Sequence, residues 1–193
     1  MMSEKKPPHT FDPANWKKLE SAERRAKMNP VRLAEVMGLQ GSEVVLDIGV
    51  GTGFFAEEVA GHCHRLIGLD HSEDMLNVFR GKESFKKLDN VELETSKADN
   101  LPFDDDSIDV VMHVNLFHEV GDVEKFHGEI KRVLKPGGRL FCADWQAVKT
   151  EGGPPLDHRV SKDKALKLIS GDGFVDIREH NIYAEQYVIE AKV

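Results

Sequence analysis

Cysteine is almost absent: Cys63 and Cys142 are the only two in 193 residues, far apart and in no C-x-x-C pairing. That excludes a disulfide framework and a zinc ribbon, and both residues read as small buried hydrophobes. Cations are also short, with 26 Lys and Arg against 34 Asp and Glu and a formal charge of −8. Neutralising a polyanion takes an excess of cations, so nucleic acid is disfavoured as the main partner. No apolar run approaches a bilayer-spanning helix, and the opening MMSEKKPPHTF has no signal-peptide core. The expectation is a soluble, cytoplasmic protein. Repeats and low-complexity tracts are missing too, and the length suits one domain with a sizeable core.

What the chain does contain is an alternation of strand and helix patterns. A polar, Pro-containing arm, residues 1–30, is expected to be helical in part from Pro13 to Lys27, ahead of a single domain over 31–193. A short amphipathic helix over Val31–Met37 is capped by Gly38 and leads into an apolar strand, Glu43–Ile48, then a helix over Phe54–Ala60 closed by Gly61. RLIGLD is a buried strand ending at Asp70, and Ser72 with Glu73 and Asp74 opens a helix through about Arg80. VELETSKA and IDVVMHV are the third and fourth strands. A helix over Val123–Leu134 is halted by KPGG before the fifth strand, RLFCADW. Ser161 caps a helix over Lys162–Ile169, and VDIREHNI and AEQYVIEAKV form two terminal strands with a tight connection. The expected fold class is α/β: a doubly wound, mostly parallel, Rossmann-like sheet with an antiparallel terminal strand, its ligand crevice beyond the carboxyl ends of the strands.

The stretch VVLDIGVGTG, Val44–Gly53, carries the first chemical signal. Gly49, Gly51 and Gly53 turn from strand to helix, where missing Cβ atoms let a ligand approach the backbone. Dinucleotide sites use GxGxxG to seat a pyrophosphate, whereas this loop reads GxGxG with Asp47 two residues before the first glycine. An acid there repels a diphosphate and suits a cation. Asp70, twenty-one residues after Gly49, is placed to hold both hydroxyls of a ribose. Asp99, in ADNLPF after the third strand, can accept from an adenine amino group, although alone it reads as a solvated loop acid.

Together these stretches resemble the class I S-adenosylmethionine-dependent methyltransferases, in the small-molecule branch with the UbiE-like and type 11 proteins. LDIGVGTG, LIGLDHSEDML, KADNLPFDDDSIDVV and LKPGGRL occur in the family's order, over roughly residues 40–145. The resemblance implies a sheet of seven strands with the last antiparallel. It places Asp47 and Gly49–Gly53 beside the methionine moiety, Asp70 on the ribose with His71 and Met75 nearby, and Asp99 and Asn100 around adenine. Val50 stands where the family more often has Cys, Ala or Ser.

Methyl transfer from a sulfonium needs alignment more than a particular side chain, and a base only where the acceptor must lose a proton. His118, in VNLFHEV beyond the fourth strand, is the candidate base, although a lone loop histidine is more often structural or solvated. Asn115 is expected to contact cofactor, and His113 to pack in the core. The same loop lacks the prolines of the [ND]PP[YF] motif of base-methylating enzymes, and two cysteines argue against arsenite as substrate. HCH, His62–His64, reads as a turn at a helix end rather than a metal site. Trp145, which follows Asp144, together with Phe11, Trp16 and Phe117 is a candidate apolar substrate wall, with the arm as a lid. The rival readings are a non-catalytic cofactor-binding or scaffold protein and a nicotinamide-dependent oxidoreductase; oligomeric state is left open.

Overall fold

The structure is a computed structural model and describes residues 11–193. In chain order its elements are α1 (Ala22–Lys27), α2 (Pro30–Met37), β1 (Val44–Ile48), α3 (Ala56–Ala60), β2 (Arg65–Asp70), α4 (Glu73–Arg80) and β3 (Val91–Thr95). There follow β4 (Ile108–Val114), α5 (Val123–Val133), β5 (Leu134–Trp145), α6 (Lys162–Gly171), β6 (Val175–Glu179) and β7 (Gln186–Lys192). One seven-stranded sheet has the order β3-β2-β1-β4-β5-β7-β6, parallel except that β7 runs antiparallel to both β5 and β6. Among the described residues, no helix is long and apolar enough to cross a membrane.

The apolar runs become central strands because both of their faces are covered. In β4, Val110 and Met112 enter the core under α2, α3 and α4, while Val111 enters the core under α5 and α6. β5 repeats the division, with Phe141 and Ala143 on the first face and Leu140 and Cys142 on the second. Both cysteines are free and buried, and His113 is fully buried, packed against Phe117 and Phe126. The helices start where the sequence supplies caps: Ser72 accepts from Met75 N–H and Ser161 from Lys164 N–H. Gly38, at φ +56°, closes α2 in the left-handed conformation.

Four details differ from the sequence expectation. The arm's helix is broken: Pro13–Glu20 is a 3-10 helix, and extended Ser21 caps α1 by accepting from Arg24 N–H. α3 starts at Ala56, because the positive φ of Gly53 prolongs the preceding turn. KPGG does not precede the fifth strand but lies within it. The pairing steps from Ile108 opposite Leu134 to Val110 opposite Arg139, and Gly137 at φ +78° absorbs the extra residues as a bulge. The terminal strands are joined by residues 180–185 rather than a tight turn, because Tyr183 in that link is buried and donates to Asn29 O at 2.9 Å.

Candidate functional site

The site forms where β1, β2, β4 and β5 end side by side. Past Ile48 the chain turns so that Gly49 and Val50 both donate to Leu69 O, at 2.7 and 3.0 Å. Gly51 N–H donates to Asp70 Oδ2 at 2.9 Å, and Ser72 N–H to Asp70 Oδ1 at 2.9 Å. One carboxylate thus joins the glycine turn to the start of α4. Gly49, Gly51 and Gly53 all have positive φ, +77°, +55° and +78°. Their surroundings differ: a Cβ on Gly53 would lie 2.2 Å from the Phe79 ring, while the nearest atom to one on Gly51 is Met75 Cε, at 3.4 Å. Gly68 in β2 also makes room, since a Cβ there would stand 2.9 Å from Val50 Cγ2 and Leu93 Cδ2.

These ends enclose a cavity of about 810 Å³. Asp47, Gly49, Gly51, Asp70, His71 and Met75 line one side, and Asn115, Leu116, His118, Glu119 and Trp145 the other. Asp47 is 3% exposed, and no cation among the described residues pairs with it. Burial first, and the Asp70 charge second, push its pKa up to about 8. Two further acceptors are buried without partners among the described residues, Asn115 Oδ1 and Gln186 Oε1, both from cavity-lining residues. The pocket therefore presents acceptors and an uncompensated carboxyl group, an environment for a ligand carrying positive charge and donors.

The arm crosses the opening. Phe11 N–H donates to Glu119 Oε1 at 3.1 Å, and Glu20 accepts from Thr52 Oγ1 of the glycine turn and pairs with Lys82 at 2.8 Å. The Arg24 guanidinium lies 4.5 Å from the centre of the Phe54 ring, and burial lowers its pKa to about 10. Phe11 lines the cavity, but Trp16 does not; Lys17 Nζ lies 5.9 Å from the centre of its ring. The broken helix turns Trp16 away from the wall expected for it.

Phe117 is also not a wall residue. It is 1% exposed and stacks on His127 at 5.4 Å, because Asn115 in the left-handed conformation, φ +56°, and the short 3-10 turn Phe117–Glu119 send it inward. The same turn lifts Leu116, His118 and Glu119 to the cavity. Asp144 lies behind them, fully buried, with its Oδ1 2.8 Å from His118 Nδ1. Asp99 and Asn100 are not among the lining residues. Asp99 pairs with Lys125 at 3.1 Å, and the Asn100 carbonyl accepts from Ser96 Oγ. Sequence reasoning missed Leu116, Glu119, Arg24 and Gln186; only Glu119, adjacent to His118, carried a readable signal.

The antiparallel β7 set between β5 and β6 separates this sheet from the order of dinucleotide-binding dehydrogenases. With the acid ahead of the glycine turn, it defines a class I S-adenosylmethionine-dependent methyltransferase fold. Residues 46–142 match a family model described as a methyltransferase domain, and the chain belongs to that family, the type 11 methyltransferases, in its UbiE-like branch. It is 33% identical over 140 residues to the demethylmenaquinone methyltransferase of Tropheryma whipplei, covering 72% of this chain and 57% of that protein. Identity to the Listeria monocytogenes protein of the same name is 41% over 114 residues, 57% of this chain and 48% of that one. The chain thus spans about half the length of the curated relatives it matches. A solved SAM-dependent methyltransferase from Aquifex aeolicus superposes with a TM-score of 0.88 at 27% identity, over 95% of this chain and all of the other.

S-Adenosylmethionine fits the residues present. Its sulfonium and ammonium groups suit the unpaired Asp47 and the orphan oxygen of Asn115, and Asp70 retains acceptor capacity beside its two backbone donors.

Proposed function

We propose that the protein transfers a methyl group from S-adenosylmethionine to a small-molecule acceptor in this cavity. The observation that carries the reading is Asp47: a buried carboxyl without a cationic partner among the described residues, set beneath a glycine turn that a ligand can approach closely. Bound S-adenosylmethionine supplies a methyl carbon already activated by its sulfonium leaving group.

The protein's part is to hold, orient and exclude water. Asp47 and Asn115 bind the methionine end, Gly49 and Gly51 leave room beside it, and Asp70 takes the ribose hydroxyls with His71 and Met75 alongside. Gly53 acts from below, by seating the turn on Phe79. Asp99 and Asn100 approach adenine after the Asp99–Lys125 pair yields. The acceptor lies against Phe11, Leu116 and Trp145, under an arm that serves as a lid. A small-molecule acceptor rather than nucleic acid agrees with the net charge of −8.

Calorimetric titration with S-adenosylhomocysteine, with NADH as a parallel control, tests this reading. Saturable binding of the first alone, weakened at least tenfold in Asp47→Ala, is the expected result. Absence of S-adenosylhomocysteine binding would overturn it, and NADH binding in its place would revive the oxidoreductase.

A further inference from the structure

The far end of the cavity, over β5 and β7, is built separately from the end beside Asp47. The two strands run antiparallel, so β7 begins where β5 finishes, and Gln186 lies directly opposite Trp145 in their register. Opposed residues leave a sheet on the same face, and both side chains belong to the cavity lining. In the strand order β7 stands three places from β1. At the usual strand spacing that is roughly 14 Å across the sheet, which sets Gln186 apart from Asp47.

Gln186 is 2% exposed, and its Oε1 is buried with no hydrogen-bond partner among the described residues. The backbone donors beside it are spent elsewhere, Trp145 N–H on the Asp144 carboxylate and Gln146 N–H on Glu185 O. A buried amide oxygen left unpaired costs stability until something donates to it.

The Trp145 indole beside it is held by Arg159, which closes the loop between β5 and α6. Arg159 Nε donates to Pro154 O, Nη1 to Gln146 O and Val148 O, and Nη2 to Thr150 Oγ1 and Gly152 O, all at 2.8–3.1 Å. Every N–H of the guanidinium is thus used, each on a neutral oxygen of one loop. The guanidinium carbon lies 5.1 Å from the centre of the Trp145 ring. Gly153, at φ +90°, is drawn so close to that ring that a Cβ on it would stand 2.9 Å from three of its atoms.

We propose, on the methyltransferase reading above, that Trp145 and Gln186 form the subsite that recognises the acceptor. The indole receives an apolar body, and the Gln186 amide oxygen accepts a hydrogen bond from an N–H or O–H group carried on it. Gln186 is then the specificity-determining residue and Arg159 the positioning residue of the indole. A ligand without the donor leaves the amide oxygen buried and unpaired, so the subsite selects against it.

Indole and benzofuran, alike in shape but differing in the N–H that only indole donates, are the probes. Each is titrated calorimetrically into the full chain saturated with S-adenosylhomocysteine. Indole is expected to bind at least about tenfold tighter. Gln186→Met nearly keeps the volume and removes the amide; it should bring the two probes within twofold, with Tm equal to or above that of the parent because the unpaired oxygen is gone. Arg159→Ala and Arg159→Lys should weaken both probes about fivefold or more and leave S-adenosylhomocysteine affinity within twofold, since an ammonium cannot reproduce the fork. Equal binding of the two probes, binding of neither, or a Gln186→Met protein that keeps the preference would overturn the proposal. Arg159 variants that lose thermal stability but keep both affinities would reduce Arg159 to a loop staple and overturn its positioning role. Failure of S-adenosylhomocysteine to bind the unaltered protein would instead overturn the methyltransferase reading.

Discussion

Replacing Gly53 by alanine separates packing from ligand binding within the glycine turn. The new methyl carbon would stand 2.2–2.4 Å from three atoms of the Phe79 ring. That ring is fully buried and held edge-on by Phe85 at 4.9 Å, so it has no free space to move into. Overpacking of this kind costs about 1–3 kcal/mol, and a left-handed residue, here φ +78°, adds about 1–2 kcal/mol. A loss of ~3 kcal/mol in a chain of this length lowers Tm by roughly 6–12 °C. Urea unfolding should show a lower midpoint at unchanged slope. Gly51→Ala meets nothing nearer than Met75 Cε at 3.4 Å, and is expected to lose no more than about 1–2 kcal/mol, from its φ alone, while weakening S-adenosylhomocysteine at least tenfold. Phe79→Leu should partly relieve Gly53→Ala, with a coupling above about 1 kcal/mol in the double-variant cycle. A Gly53→Ala protein with the parent midpoint, or additivity with Phe79→Leu, would refute the reasoning.

Asp47 predicts a slope in stability with pH. Its folded pKa, about 8, lies above that of an unfolded carboxyl, so the native state holds the extra proton and stability falls as pH rises from about 4 to 8. Asp47→Asn should flatten that slope in urea titrations, and S-adenosylmethionine should release protons on binding, seen as a dependence of calorimetric heat on buffer ionisation. Glu20→Ala frees the arm from Thr52 and Lys82, and trypsin is expected to cut after Lys17 and Lys18 several-fold faster, with S-adenosylhomocysteine slowing it less than in the parent. Phe117→Ala should cost about 3–5 kcal/mol and leave S-adenosylhomocysteine affinity within twofold; the reverse pattern would return Phe117 to the cavity wall.

The strand order was legible because each central strand carries an apolar run and each helix a cap or a glycine stop, signals local to a few residues. The places of Asp47 and Asp70 were legible for the same reason, since each lies at the carboxyl end of a strand next to a turn. The errors arose where one backbone angle redirects several side chains. Nothing in NLFHEV announces that Asn115 is left-handed, and that angle decides that Phe117 goes inward and His118 outward. KPGG carries every mark of a break, yet Gly137 lets the strand absorb it, and Lys135, within that bulge, reaches back to Asp109, which also accepts from Val44 N–H. The partnership of His118 with Asp144 joins residues 26 apart, a distance that only the β4–β5 pairing closes.

Val50 and Gly68 trade volume across the top of the sheet. The branched side chain of the loop occupies space that the strand leaves empty, so the height at which the turn rides is set by a residue outside the cavity's lining. A side chain at position 68 would press equally on Val50 and on the end of the Leu93 side chain, and the ligand floor would rise with Val50 unless position 50 shrank and Leu93 gave way in the same step. The two sites thus form a single steric locus, and a screen for altered ligand binding should recover Gly68 through a compensating smaller residue at 50.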